Sequence, residues 1–189
     1  RGRQGAEGYD LLSEEIKFQP LRRMDTVFIL FLLPFFFLLH ELEEILMVHR
    51  WIEKNGAAMH KRFPRLRYLI RNMKGMTTRR FATIAFEEFL IVSTCTFVSL
   101  QTGDLEAWYC CLAAFSIHLF VHIIQFIVWR RYIPAIVTTA FCLPYCIWAI
   151  HDTYPFFSAY ELFFYTILGT LLGGANLIGM HVIMHRLAK

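Results

Sequence analysis

Ionisable side chains interrupt stretches of this chain that otherwise read as oil. His40, Glu43 and Glu44 sit inside the apolar run Phe35–Val48, Glu87 and Glu88 inside Phe81–Gln101, and His118 and His122 inside Trp108–Val128. A single such group at the centre of a membrane-spanning helix costs roughly 2.5–3.5 kcal/mol on insertion scales. Several together rival the ~5–15 kcal/mol that holds an ordinary domain folded. They must pair, hold an ion, line a wet cavity or stay neutral. At 100° per residue His40, Glu43 and Glu44 share one face, which Met47 and Trp51 continue, and Glu41 points off to the side as a boundary residue. His118, His122 and Gln125 fall at i, i+4 and i+7, a second stripe that Trp129 extends.

Imidazole and carboxylate without thiolate suit zinc, iron or manganese. In this reading His40, Glu44, His118 and His122 are the metal ligands. Glu43, Glu44, Glu87 and Glu88 are the candidates for catalytic acid–base work, with Gln125, Asn176 and His181 supporting the site or its substrate. The substrate expected of such a site is a lipid-soluble small molecule. The di-iron pattern of repeated Glu-x-x-His is missing, since the first helix carries His40-x-x-Glu43, and Glu44 stands where a zinc helix would place its second histidine. Other chemistries use the same residue types. A glutamate-type intramembrane protease, a metal-free lipid isomerase that moves protons, and a small proton- or metal-coupled carrier remain alternatives, the carrier weakened by the lack of an internal repeat.

Depth brings these residues together. His40 and Glu44 lie ten and six residues before Arg50, Glu87 and Glu88 seven and eight after Arg80, and His118, His122 and Gln125 twelve to five before Arg130. Asn176 and His181 lie ten and five before Arg186. At ~1.5 Å per residue these ranges overlap within about two turns. Four helices are thus expected to contribute to one polar layer in the cytoplasmic half of a membrane. Asn176 continues the Gly169–Gly173 face, a small-xxx-small pattern for close helix approach, whereas His181 is turned well away from it.

The elements that carry these residues form an all-α membrane bundle. The chain of 189 residues is 57% hydrophobic and holds 19 phenylalanines, well beyond soluble usage. Spans are expected at about 27–48, 81–101, 108–128, 133–150 and 156–184, together a five-helix domain over 24–189. Lys and Arg crowd the Arg50–Arg80 stretch and the segments after Trp129 and Met184, while Thr102–Glu106 and His151–Pro155 carry no Lys or Arg. Basic loops stay cytoplasmic, which sets the N-terminus outside and the C-terminus inside. The polar residues 1–23 are set aside as an extension or foreign remnant, with Met24 as the alternative start, and are expected to add little to the membrane fold.

The string His40-Glu-Leu-Glu43-Glu44 resembles the signature of the HXXEE family, small multi-spanning membrane proteins known by that motif. The resemblance covers roughly Met24 to the end. It implies the multi-span architecture and no particular reaction. The net charge of +4 comes from basic residues gathered at expected cytoplasmic edges, so membrane lipid rather than nucleic acid is the expected partner. Cys95, Cys110, Cys111, Cys142 and Cys146 are odd in number and lie in or beside apolar segments, which makes them small core residues rather than a disulfide framework. The bacterial inner membrane is the expected location, and a homodimer is compatible with the sequence.

Overall fold

A computed structural model describes residues 24–66 and 77–186. Residues 1–23, and with them the expectation for that extension, lie outside the described residues, as do Arg67, Arg71 and Lys74 of the basic stretch. Helix α1 covers Met24–Arg62 and is followed by a single 3-10 turn at Pro64–Leu66. Helix α2 covers Thr78–Thr102, α3 Glu106–Trp129 and α4 Ile136–Thr153; a 3-10 turn at Tyr154–Phe156 leads into α5, Ala159–Arg186. The described fold is all-helical. Four helical segments are long and apolar enough to cross a membrane: Thr26–Arg62, Thr78–Thr102, Glu106–Trp129 and Ala159–Met184. Helix α4 is shorter, holds Pro144, and ends in His151 and Asp152, so it falls outside that set. The outer surface is studded with Phe31, Phe35, Phe97, Phe141, Ile147, Phe163 and Ile178, as a lipid solvent requires.

Helix ends follow from local chemistry. Thr77 caps α2 by accepting the Arg80 N–H, and Gly103 closes it at φ 87°, a left-handed position that suits glycine. Pro34 sits inside α1 and has no N–H for the Leu30 carbonyl four residues back. The indole of Trp108 on α3 donates to that carbonyl at 3.2 Å. Trp108 is thereby wholly buried with its one polar atom satisfied. Around it Ile29, Leu30, Leu33, Leu112 and Leu119 form the dry centre.

Helix α1 is far longer than the expected span. Its 39 residues make roughly 58 Å of helix at ~1.5 Å per residue, about twice a bilayer's hydrocarbon core. The reason lies past Val48. Arg62 donates to the Val128 and Trp129 carbonyls at 2.7 and 3.1 Å, while the Trp51 indole donates to the Tyr132 carbonyl at 2.8 Å. These are the end of α3 and the turn beyond it, where helical carbonyls have lost their own partners. Arg62, one of the basic residues of the Arg50–Arg80 stretch, is thus committed to the protein.

Helix α4 packs on both α1 and α3, and α5 lies mainly on α3. Gly169 explains the second contact: a Cβ there would come within 2.2 Å of the Cys110 carbonyl oxygen, and one at Gly173 would meet the Ala114 side chain at 3.0 Å. The five cysteines are free, with Cys142 and Cys146 in the core. The Lys/Arg asymmetry yields a direct expectation. Single cysteines at Lys61 and Asp104 should react with a membrane-impermeant maleimide from opposite faces of the membrane, Lys61 from the cytoplasm. Labelling of both from one face would overturn the expected orientation.

Candidate metal centre

Two helices each contribute an i, i+4 pair. On α1, His40 and Glu44 stand one turn apart on one face; on α3, His118 and His122 do the same. The two helices approach closely at few points, and the space between them holds the three imidazoles and the carboxylate. One ligand atom from each of the four residues lies within 4.8 Å of the others. The His122 Nε2 is 3.0 Å from the His118 Nε2 and 3.0 Å from the Glu44 Oε1. The His40 ring stacks edge-on to both neighbours, its centroid 5.1 Å from that of His118 and 5.0 Å from that of His122. Phe115 closes over His40 from the dry side, and His40 is fully buried.

Hydrogen-bond accounting exposes what the group lacks. A carboxylate only accepts, and a neutral imidazole offers one N–H and one lone pair. The Nε2 of His122 cannot donate fully to Glu44 and to His118 at once. The Nε2 of His40 and the Nδ1 of His122 are buried with no partner at all. Four potential ligand atoms thus converge on one small volume, and two buried imidazole nitrogens of the group have no hydrogen-bond partner.

Glu43 faces elsewhere. Its carboxylate accepts from the Tyr132 hydroxyl at 2.9 Å, and from the Thr138 N–H and hydroxyl at 2.8 Å each. Thr138 is the third residue of α4, whose cap position is Ala135, with no side chain to serve the free N–H groups and a strained φ of 66°. Glu43 supplies that cap from another helix. Burial, then the hydrogen bond and charge of Glu43, push the Tyr132 phenol up to about 12, so it remains a donor at any physiological pH. Neither Thr138 nor Tyr132 is marked by the sequence, because their partner lies some ninety residues away.

The remaining acids form a neighbouring group. Asn176 on α5 donates to Glu87 at 3.0 Å and also reaches Glu88. Glu88 lies close enough to Glu87, Glu44 and Glu41 to interact with their charges. Glu41 corrects the sequence reading: it is not a boundary residue but only 5% exposed, because α2 packs on α1. Gln125 is exposed, although it shares the helical stripe of His118, His122 and the buried Trp129, so its expected place in the site is not supported. His181 is bonded to the Leu177 carbonyl at 2.8 Å beside Phe81, away from the four-residue group.

Fold and site together define a multi-pass helical membrane protein with an internal His/Glu group able to hold a metal ion. The chain belongs to the HXXEE family: the family model described as "Protein of unknown function with HXXEE motif" matches residues 31–149, which include all four residues of the group. No curated protein and no solved structure matches it.

Proposed function

We propose that this protein is an integral membrane metalloenzyme acting on a lipid-soluble substrate, with His40, Glu44, His118 and His122 holding one divalent ion. The observation that carries the reading is the convergence of four potential ligand atoms within 4.8 Å, from residues that include two buried imidazole nitrogens with no hydrogen-bond partner. A cation supplies what protons cannot. Metal–nitrogen bonds of about 2.0–2.1 Å place neighbouring ligand atoms about 3.3 Å apart in a tetrahedron, and the two shortest contacts here are 3.0 Å.

The donor set also bears on the ion. Four protein ligands fill a tetrahedral zinc site, whereas catalysis needs an open position. Iron or manganese, with five or six ligands, keeps one for the substrate or water. Such an ion would act as a Lewis acid, and we assign the taking or giving of a proton to a carboxylate of the Glu87–Glu88 pair, whose Glu88 interacts with Glu44. Glu43 is engaged in capping α4 and is not assigned that role.

Access from the bilayer supports a lipid-soluble substrate. A groove of about 420 Å³ runs between α1 and α2, lined by Phe31, Pro34, Phe35, Leu38, Phe89 and Phe97 among others. Its α1 side, Phe31–Pro34–Leu38, continues one turn on to Glu41. The groove suits a hydrocarbon chain whose polar end meets the carboxylates.

Elemental analysis of the protein purified in detergent tests the proposal. One equivalent of iron, manganese or zinc per chain is expected after reconstitution with each ion. A wild-type protein that takes up none of the three would reduce the group to a metal-free chain for proton transfer.

A further inference from the structure

We infer that Thr138 and Glu43 are positioning residues for His40, fixing the ring in the tautomer whose Nε2 lone pair points to the ion. The inference rests on the metal reading above and names the part of the chain that makes His40 a ligand.

The argument follows one proton. The Thr138 hydroxyl has three acceptors within reach: the Glu43 Oε2 at 2.8 Å, the Ala135 carbonyl at 3.2 Å and the His40 Nδ1 at 3.2 Å. It carries a single hydrogen. The carboxylate is nearest and charged, so it takes that hydrogen. What the hydroxyl then presents to His40 is a lone pair. The contact is a hydrogen bond only if Nδ1 carries the ring proton, which leaves Nε2 bare. That same Nε2 is buried without a partner.

The relay is stiff because Glu43 is held at three points, by the Tyr132 hydroxyl and by both donors of Thr138. Two of those donors belong to the first turn of α4. The position of α4 against α1 and the orientation of a ligand are therefore set by the same carboxylate. A partner that holds the far nitrogen of a ligating histidine typically contributes 10–100-fold to metal affinity.

Cobalt(II) serves as the probe, read by chelator competition and by its visible absorption, on the full chain in detergent. Thr138→Val should weaken cobalt binding by about 10–100-fold and alter the absorption envelope, and Thr138→Ser should restore both. A merely structural role for Thr138 would lower the melting temperature of the metal-free protein without changing cobalt affinity, and that result would overturn the inference. Should the valine variant not fold, Glu43→Gln takes its place: affinity must still fall, and unchanged affinity refutes the relay. Wild-type protein that binds no cobalt would instead sink the metal reading itself.

Discussion

Alanine at His122 should strip the protein of its ion while leaving it folded and extractable. His122 is the hub of the group, within 3.0 Å of both His118 and Glu44. Its loss removes a ligand outright, so affinity should fall by more than the roughly 10–100-fold expected for a mere supporting partner. His40→Ala and Glu44→Ala should do the same. Combining His40→Ala with His122→Ala should add little, since residues that act as a unit fail together. Glu41→Gln is the control. Glu41 is buried on the same helix as His40 and Glu44 yet belongs to no ligand set, so the near-isosteric Glu41→Gln should keep the ion. Metal content by elemental analysis, with melting temperature alongside, decides the matter. Equal loss in the Glu41 variant, or additive losses from the two histidines, would break the shared site into separate contacts.

Two glycines on α5 should respond to the same substitution with opposite signs. Helical glycine gives way to alanine with a gain of about 0.8–1 kcal/mol where space allows. At Gly179 nothing lies within 4 Å of the new methyl, so Gly179→Ala should be neutral or stabilising. At Gly169 the methyl would meet the Cys110 carbonyl oxygen at 2.2 Å and its Cα at 2.7 Å, both main-chain atoms that cannot step aside. Overpacking commonly costs about 1–3 kcal/mol, and a clash with backbone belongs at or above the top of that range. Most of the surface of helix α5 faces outward, so its attachment depends on the narrow face it turns to α3 and α2. Gly169→Ala should lower the detergent melting temperature markedly, and Gly169→Leu should abolish a monodisperse protein. A silent Gly169→Ala would mean that α5 does not pack on α3 at this point.

Much of this was legible in the sequence, and the residues show why. His40 with Glu44, and His118 with His122, are spaced by one helical turn, so their common direction needs no knowledge of the fold. Distance from the basic residues set their depth. What failed to show was everything that depends on a second helix. The face of Glu41 looked idle because a helical wheel has no way to register α2 behind it. Glu43 and Glu44 are neighbours of identical chemistry, and only the uncapped start of α4 separates their roles. The length of α1 was hidden because its second half is polar and earns its order from two carbonyls at the end of α3.

The borrowed cap on α4 has a consequence for biosynthesis. Of the five described α-helices α4 is the poorest candidate to enter a bilayer unaided, and its first turn cannot satisfy its own N–H groups. The carboxylate that does so resides on α1, which leaves the ribosome about ninety residues earlier. Order of synthesis thus matches order of need: the acceptor is already waiting in the membrane when α4 emerges. A chain circularly permuted to make α4 first would present that helix to the insertion machinery without its partner, and α4 would be left stranded on the surface.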